Sequence, residues 1–394
     1  MPVPPPLYVL DPPESLGPAW APFAGVRPIG ELRAGIWRIR ERWERALQAR
    51  SAALLSGNCP GFYEGAEPPV RALASITGPA IVAASWFAPG TGPITLEPAF
   101  RRLTHDGQTV AWIVGNGEHW EGPHDEGPAH QVAGVLLRGT FDLITAGEQL
   151  LPEDCAAFLA GDRDPAPGGG IVLGDPRDVV ILGAEVEPGV VFDVRHGPVV
   201  LERGVETRHG TRLEGPLYAG PRCRLLGGYL RTSVFGPRCT VRGEVSGSTF
   251  LGYSNKSHDG FVGHSVVGYW VNLGAGTTTS NLKNTYGPIT IQAGDARLET
   301  GRQFLGSLIA DHVKTAIGTL LGTGTVVSVG AHLFGPAPVP KCVPPFAWGN
   351  EGRERLDEKG FLRIAERVWS RREIEFTPER RASLVATYRR FVSQ

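Results

Sequence analysis

Hydrophobic residues recur every six positions through much of the second half of the chain. One series is Val205, Thr211, Leu217, Cys223, Tyr229, Phe235 and Val241, and a second is Ile309, Thr315, Leu321, Val327 and Leu333. A period of six is neither the 3.6 of a helix nor the 2 of a long strand. It is the hexapeptide period of a parallel β-helix, in which each unit supplies one short strand and one corner. We therefore predict a left-handed parallel β-helix over residues 166–345, with glycine and asparagine at its corners. A β-sandwich with coincidental spacing is the alternative, and two tracts that keep the same period argue against it.

The first 165 residues have a different pattern, in which strand-like and helix-like runs alternate. Residues 7–10, 80–84 and 109–114 read as strands. After Pro28, an amphipathic helix is predicted from five apolar residues at three- and four-residue spacing, namely Leu32, Ile36, Ile39, Trp43 and Leu47. Residues 152–159 suit another short helix. Alternation of this kind favours an α/β layer domain over residues 1–165.

The segments that flank the β-helix differ from it in composition. Residues 161–170, GDRDPAPGGG, are typical of a linker, and we place the domain boundary between 165 and 166. Residues 346–394 form a tail with two predicted helices, 361–370 and 378–391, the second introduced by Thr377 as N-cap and Pro378 at the first helical position. We expect these helices to cap the open end of the solenoid.

Composition narrows the possible partners. The formal charge of −1 gives no electrostatic footprint for nucleic acid or an anionic membrane. Five scattered cysteines without a C-x-x-C pair indicate reduced thiols. The first residues lack a secretory signal, and no apolar run approaches the roughly 20 residues of a membrane span. We therefore expect a cytoplasmic protein with neither a nucleic acid nor a membrane as partner.

The candidate chemistry lies where the six-residue register breaks, between Val241 and Leu273, because loops that leave a solenoid wall commonly carry function. Residues 244–281 read EVSGSTFLGYSNKSHDGFVGHSVVGYWVNLGAGTTTSN. This block resembles the acyltransferase half of the bifunctional uridyltransferase and acetyltransferase that makes UDP-N-acetylglucosamine. In that family a catalytic histidine precedes an N-[IL]-G-A-G-T segment, and a second asparagine follows.

The resemblance implies roles for six residues of this chain. His258 matches the catalytic histidine, a base that takes the nucleophile's proton during acyl transfer from a thioester. Glu244, Asn272 and Asn281 are the other matched polar residues. Together with the nearby Lys256 they are the expected substrate-binding residues, and Ala275 and Asn281 are expected at the acyl-CoA. A backbone N–H within residues 273–276 would donate to the developing oxyanion. The implied acyl donor is acetyl-CoA.

Two positions depart from the family pattern. The family has a tyrosine three residues after its histidine and a lysine six residues after the second asparagine, and both help to hold the sugar phosphate. This chain has Phe261 and Gly287 there. Lys256, Lys283 and Tyr286 lie near enough in sequence to substitute for them.

The N-terminal region carries a second, more diffuse resemblance. Residues 22–47, PFAGVRPIGELRAGIWRIRERWERAL, are similar to the opening of sugar-nucleotidyltransferase-like domains that precede such β-helices. The resemblance implies a nucleotide site with Arg27 as a candidate phosphate contact, and Mg²⁺ as a possible cofactor. Those domains have a glycine-rich phosphate loop directly after the first strand. Here that place holds DPPESLGPAW, with one glycine.

Together these features predict a sugar-nucleotide biosynthesis enzyme that uses a sugar phosphate, a nucleoside triphosphate and acyl-CoA. The resemblance to the related enzymes also implies a homotrimer. One alternative is a carbonic-anhydrase-like β-helix with zinc held by His258, His264 and His312 from adjacent chains. Another is a trimeric scaffold that binds sugar nucleotides without turnover.

Two further motifs are left off the predicted site. A loop with His119, His124 and His130 has spacings that match no standard metal-ligand pattern, so no metal site is predicted. Residues 322–330, GTGTVVSVG, only superficially resemble a dinucleotide loop, and we interpret their glycines as β-helix corners.

Overall fold

The N-terminal domain contains thirteen strands among the residues that the computed structural model describes, which are 4–12, 14–65, 68–161, 164 and 169–392. The strands are β1 (Leu7–Leu10), β2 (Arg33–Ala34), β3 (Trp37–Arg38), β4 (Ser51–Leu55), β5 (Val70–Arg71), β6 (Ile76–Thr77), β7 (Ala80–Ala84), β8 (Phe87–Pro89), β9 (Arg102–His105), β10 (Gln108–Val114), β11 (His119–Trp120), β12 (Ala129–Gln131) and β13 (Gly134–Leu136). The helices are α1 (Ile39–Leu47) and α2 (Asp142–Ala156), with short 3₁₀ segments at Glu14–Trp20 and Ile29–Glu31.

A seven-stranded mixed sheet forms the centre of this domain, in the order β12-β9-β10-β7-β1-β4-β5. Strand β1 is parallel to both neighbours, β4 and β7, whereas β10 is antiparallel to β7 and β9. The chain leaves β1 for β4 on one side and later returns to β7 on the other. The carboxyl ends of these three strands therefore meet at a topological switch point, where α/β sheets usually bind ligands.

Both predicted helices of this domain have different bounds in the structure. Leu32 and Ile36 lie outside α1, because the chain turns at Gly35 with φ of 67° and pairs β2 with β3 before the helix begins. The capping interaction between Arg38 and Glu41 then fixes the start of α1. Helix α2 begins ten residues before the predicted 152 and includes Pro152 in its interior.

The second region is the predicted parallel β-helix. Its strands and those that follow are β14 (Ile171–Leu173), β15 (Val179–Ile181), β16 (Glu185–Val186), β17 (Val191–Asp193), β18 (Val199–Leu201), β19 (Glu206–Thr207), β20 (Thr211–Glu214), β21 (Leu217–Ala219), β22 (Arg224–Arg231), β23 (Val234–Phe235), β24 (Thr240–Ser246), β25 (Thr249–Gly252), β26 (Asn255–Lys256), β27 (Phe261–Gly263), β28 (Val266–Tyr269), β29 (Thr278–Thr279), β30 (Thr290–Ala293), β31 (Ala296–Glu299), β32 (Leu308–Ile309), β33 (Lys314–Thr315), β34 (Leu320–Leu321), β35 (Val326–Val327), β36 (His332–Leu333), β37 (Cys342–Val343), β38 (Ala347–Trp348) and β39 (Glu354–Arg355). A 3₁₀ segment spans Pro176–Asp178.

Successive coils stack in parallel register, which confirms the β-helix. One wall is a nine-stranded sheet in the order β15-β18-β21-β23-β25-β28-β32-β35-β37. Ile309 pairs with Val327, the full step of three hexapeptides, whereas Phe235 pairs with Phe250 in a shorter coil. The predicted linker and the boundary at 165 and 166 fall largely outside the described residues.

Eleven of the twelve hexapeptide positions are buried, and Tyr229 is the exception. Strand β22 shifts its register between Leu225 and Gly228, so Leu230 takes the inward place. Tyr229 lies on the outer face, where its hydroxyl donates to Glu214. A shortened coil therefore moves the inward position by one residue, a slip that exchanges the faces of a strand.

One corner of the coil departs from the expected glycine and asparagine. Six stacked coils have larger residues there with positive φ, between 55° and 63°, and these are Arg222, Arg238, Tyr253, Trp270, His312 and Phe346. The left-handed conformation costs such a residue about 1 kcal/mol or more. Their side chains form a corner column, which Gly330 interrupts between His312 and Phe346, and the Tyr253 and Trp270 rings in it lie 4.4 Å apart. Packing of the rest of the molecule against this column offsets that cost.

The two C-terminal helices, α3 (Glu358–Ser370) and α4 (Pro378–Val392), cover this corner of the last coils. The Trp369 ring stacks on Trp270 at 4.9 Å, and the Phe361 ring meets Phe346 at 5.0 Å. Arg390 of α4 donates to the Gly25 carbonyl in the N-terminal domain. The helices therefore hold the N-terminal domain and the β-helix together. No helix in the described part of the chain is long and apolar enough to cross a membrane.

The main excursion from the wall lies later than predicted. Strands β26 and β27 both pair with β24, but Val241 pairs with Lys256 and Glu244 with Phe261, so the corner at His258 is two residues longer than the corner of the preceding coil. The chain returns to the wall directly after this corner. The chain leaves between β29 and β32, where Val267 pairs with Ile309 and the hairpin β30–β31 projects. The predicted register break at His258 is therefore a corner lengthened by two residues, whereas the loop that leaves the wall lies after β29.

Candidate functional site

His258 lies exposed at the corner between β26 and β27. Lys256 supports this corner from inside. Its side chain is 1% exposed, and its Nζ donates to the carbonyl oxygens of His258, at 2.8 Å, and Arg242, at 2.7 Å. Burial lowers the pKa of Lys256 to about 8. The structure thus places the predicted substrate-binding Lys256 beneath His258, where its ammonium fixes the corner backbone.

Asn272 lies on the outer face of the wall that leads to this corner. The Asn255 amide donates to Asn272 Oδ1 at 2.8 Å, and Asn272 stands between Asn255 and Lys314 in parallel register. Its own amide N–H groups have no hydrogen-bond partner among the described residues. Asn272 can therefore donate two hydrogen bonds to a ligand bound beside the corner.

Glu244 lies exposed on the next wall, on the other side of the corner. It is in register with Phe261 on β27, three residues after His258. Glu244 and Asn272 thus flank the His258 corner from two adjacent walls. Phe261, which replaces the family's tyrosine, presents a partly exposed ring without a hydroxyl.

The backbone of residues 273–276 narrows the choice of oxyanion donor. The Leu273 N–H donates to Asn255 O at 2.8 Å, the Gly274 N–H to Thr315 Oγ1 at 2.9 Å, and the Gly276 N–H to Asp259 O at 2.9 Å. The Ala275 N–H has no partner within the described chain. The bond from Gly276 to Asp259 ties this turn to the corner of His258. Ala275 therefore carries the amide that is free to meet an oxyanion.

Asn281 lies at a different corner from His258. It follows β29, and its Nδ2 donates to Nδ1 of His264 at 2.8 Å. Burial lowers the pKa of His264, so the ring is neutral at pH 7 and can accept this bond. The width of one wall separates Asn281 from His258. One chain by itself therefore does not assemble all four matched polar residues.

Sequence reasoning missed the contacts that surround this second corner. The Phe304 ring lies 5.3 Å from His264. Arg302 donates to Thr145 Oγ1 and Glu148 Oε1 of α2, each at 2.6 Å. These contacts join the excursion after β29 to the N-terminal domain. No signal in the local sequence links residues about 150 positions apart.

Arg27 is part of the junction between the two domains. Its guanidinium donates from Nε and Nη2 to Asp311 Oδ2, at 2.8 and 2.7 Å, and from Nη2 to Glu64 Oε2 at 3.0 Å. The side chain is 2% exposed and lies over the Tyr269 ring at 4.0 Å. Arg27 was predicted as a phosphate contact, and the structure instead surrounds it with carboxylates.

Asp11 occupies the switch point at the carboxyl end of β1. Its Oδ1 accepts from the backbone N–H of Ile29 at 2.9 Å and of Gly30 at 3.4 Å, and from Ser85 Oγ at 3.3 Å. Burial raises the pKa of Asp11 to about 6. Backbone N–H groups at such an edge are typical phosphate donors, and here a carboxylate of the protein itself holds them.

Neither the possible Mg²⁺ nor the zinc of the alternative interpretation has a set of ligands within the described residues. No group of three or more histidine, cysteine, aspartate or glutamate side chains comes together there. Asp11 is a single buried carboxylate, so the switch point does not fit a resident Mg²⁺, which prefers an open oxygen shell. His258, His264 and His312 lie at three different corners of the coil, which keeps them apart within one chain.

The histidines of the N-terminal loop make separate contacts. His119 Nδ1 lies 3.2 Å from Thr77 Oγ1, and the carbonyl oxygen of His124 accepts from the Trp112 indole at 2.7 Å. The His130 ring stacks on Phe100 at 4.8 Å. Each histidine thus serves the local packing of the strands around it.

Comparison with known proteins supports both predicted resemblances. A family model described as sugar nucleotidyl transferase matches residues 17–75. A bifunctional sugar-1-phosphate nucleotidylyltransferase/acetyltransferase of Sulfurisphaera tokodaii is 32% identical over 100 residues, which cover 25% of this chain and 25% of that protein. The bifunctional protein GlmU of Methanococcus vannielii is 34% identical over 89 residues, covering 23% and 21%.

A longer and weaker match extends the same resemblance. The bifunctional protein GlmU of Herminiimonas arsenicoxydans is 24% identical over 189 residues, which cover 41% of this chain and 40% of that protein. The structure of an Arabidopsis UDP-N-acetylglucosamine acyltransferase aligns at 15% sequence identity, and the alignment covers 57% of this chain and 91% of that one. Its TM-score of 0.21 is too low to support a structural argument. The chain therefore resembles bifunctional nucleotidyltransferase and acetyltransferase enzymes, and it aligns with 21% to 40% of the length of these three curated relatives.

Proposed function

We propose that the protein is a sugar-nucleotide biosynthesis enzyme whose β-helix transfers an acyl group from acyl-CoA to a sugar phosphate. The observation that carries this proposal is the corner of His258. An exposed imidazole, a supporting lysine and the Ala275 amide, which has no partner among the residues described, lie on adjacent coils there. A base and an oxyanion donor are the two groups that acyl transfer from a thioester requires.

In the proposed reaction, His258 removes the proton from an amine or hydroxyl of the sugar phosphate as that group attacks the thioester carbonyl. The Ala275 N–H donates to the carbonyl oxygen while negative charge develops on it. Collapse of the tetrahedral intermediate breaks the carbon–sulfur bond and releases CoA, whose thiolate receives a proton. Glu244 and Asn272 orient the sugar from the two walls beside the corner.

Asn281 enters this proposal through a second copy of the chain. Within one chain it faces His264, so a site that combines it with His258 requires a neighbour, as in the predicted homotrimer. The exposed apolar side chains Ile317 and Leu320 support such an assembly, because Leu320 lies in register with Thr278 on the wall next to Asn281. Solution mass and activity test this part, and a fully active monomer would contradict it.

For the N-terminal domain we propose a sugar-1-phosphate nucleotidyltransferase activity, with Mg²⁺ arriving as the complex of the nucleoside triphosphate. The ligand would bind at the switch point above β1. Asp11 must then exchange the N–H groups of Ile29 and Gly30 for phosphate oxygens. Contact between Arg27 and a phosphate would likewise require its pairs with Asp311 and Glu64 to open.

The experiment that tests the proposal separates the two halves. Purified protein is mixed with acetyl-CoA and a panel of amino-sugar 1-phosphates, and free thiol is measured. In parallel, nucleoside triphosphates with magnesium and acetylated sugar phosphates are supplied, and pyrophosphate is measured. Thiol release that depends on the sugar is expected. Neither thiol nor pyrophosphate above the no-protein blank would support the non-catalytic scaffold instead.

A further inference from the structure

A pocket of 380 Å³ lies between the hairpin β30–β31 and the coil beneath it. Gln292 and Arg297 of the hairpin form one side, whereas Lys283, Thr323 and Lys341 of the β-helix form the other. Lys283 follows Asn281 by two residues. The pocket is therefore separate from the His258 corner and next to the corner of His264.

Two glycines of the segment 322–330 allow the pocket to form. A β-carbon at Gly324, whose φ is 63°, would lie 2.8 Å from the carbonyl oxygen of Thr290 in the hairpin. A β-carbon at Gly322 would lie 2.9 Å from Nζ of Lys341. One glycine thus lets the hairpin lie against the coil, and the other leaves space for an ammonium group. These positions have a role beyond that of simple corners.

The pocket has an excess of positive charge. Three cations, Lys283, Arg297 and Lys341, line it with one carboxylate, Asp295. The chain has five lysines in all, and two of them meet here. Arg297 is loosely engaged with Glu299 at 3.9 Å, with both side chains more than two thirds exposed. An exposed pair of this kind contributes little, so Arg297 can turn toward a ligand.

The two ammonium groups also retain hydrogen-bond donors. Lys283 Nζ donates to the Pro288 carbonyl oxygen, and Lys341 Nζ donates to the carbonyl oxygen and, at 3.3 Å, the hydroxyl of Thr323. An ammonium group has three N–H donors, so each has at least one left. Burial and the nearby Lys283 both lower the pKa of Lys341. An anion between the two lysines would relieve their mutual repulsion.

We propose that this pocket binds a phosphoryl group of a small molecule. Several cations around a compact volume suit a group with two negative charges and three acceptor oxygens better than a singly charged carboxylate. A nucleic acid is disfavoured, since the chain as a whole carries a net charge of −1. The phosphoryl group could belong to a sugar phosphate or to the 3′-phosphate of CoA, and the test distinguishes these sources.

Inorganic pyrophosphate is the first probe, titrated into the full chain by calorimetry at low salt. We expect binding that weakens as salt is added. Lys283→Gln combined with Lys341→Gln should lower the affinity at least tenfold, which is about 1.4 kcal/mol. Lys359→Gln, on an exposed position of α3, is the matched control and should bind like the wild type.

Asp295→Asn is the control that distinguishes a change in binding from a loss of folding. Removal of the one carboxylate that repels an anion should tighten pyrophosphate binding, which a misfolded variant would not do. CoA, dephospho-CoA and glucosamine 1-phosphate are then titrated separately to identify the source of the phosphoryl group. That source is the ligand whose affinity falls in the double variant. Absence of pyrophosphate binding, or equal affinity in wild type and double variant, overturns the proposal. Binding is measured without turnover, so its outcome is independent of whether acyl transfer is found.

Discussion

Arg27→Gln is the substitution that most clearly separates a structural from a nucleotide-binding role. It removes a buried cation from between Asp311 and Glu64, and the loss of one partner of a buried pair costs about 3–5 kcal/mol. Asp311 keeps a hydrogen bond from the Tyr269 N–H at 2.9 Å, and Glu64 is partly exposed. We therefore expect the lower end, about 3 kcal/mol. With an unfolding entropy of about 2.1 cal/mol/K per residue, the melting temperature should fall by about 4 °C.

The assay is thermal unfolding, with and without nucleoside triphosphate. Arg27→Gln combined with Asp311→Asn should recover much of the lost stability, because the uncompensated carboxylate is then removed as well. Arg389→Gln is the control, since its pair with Glu358 is largely exposed and should contribute less than about 1 kcal/mol. An unchanged melting temperature in Arg27→Gln, together with loss of a nucleotide-induced shift, would refute the junction role.

Three further predictions concern the corner and the aromatic column. In the folded protein the pKa of Lys256 is about 8, below the ordinary 10.5, so the unfolded chain binds more protons between pH 7 and 10. Over this range the free energy of unfolding of the wild type should rise by about 2 kcal/mol relative to Lys256→Met. A difference between the two proteins that stays constant with pH in denaturant titrations would contradict this. Ala275→Pro removes an N–H that has no partner in the described chain. The kcat for acyl transfer should therefore fall about 100-fold without a large loss of thermal stability. An unchanged kcat would exclude this amide as the oxyanion donor. Trp369→Ala should lower the free energy of unfolding by about 3–5 kcal/mol, measured with denaturant. Trp369→Phe should lower it less, since the indole N–H of Trp369 also has no partner in the described chain. Equal losses in the two variants would show that the indole N–H contributes.

The six-residue period predicted the β-helix because the inward side chains obey a rule local to each coil. Val205 and Ile309 are buried for that reason. The same rule misplaced Tyr229, because a coil of fewer than eighteen residues shifts the phase without any marker in the sequence. The corner column was also missed, since Trp270 takes the positive φ of its corner and the ring that packs on it, Trp369, lies far along the chain.

The candidate site was predictable only in part, for a related reason. The spacing of His258 and Asn272 places them on adjacent coils, which a periodic fold fixes. Arg27 and Asp311 are 284 positions apart, and their pairing depends on how two domains dock. Asn281 follows the same period as the rest of the wall, yet its side chain contacts His264 at a different corner from His258. Tertiary docking, rather than local pattern, decides these contacts.

The release of CoA thiol by His258→Ala tests the central claim most directly. It is measured with acetyl-CoA and the sugar phosphate that the wild type accepts best, beside His196→Ala, an exposed imidazole between β17 and β18, as the control. Loss of a general base predicts a rate about 100-fold to 10,000-fold lower in His258→Ala, with folding and CoA binding retained. A wild-type rate in His258→Ala would contradict the assignment of this corner as the catalytic site.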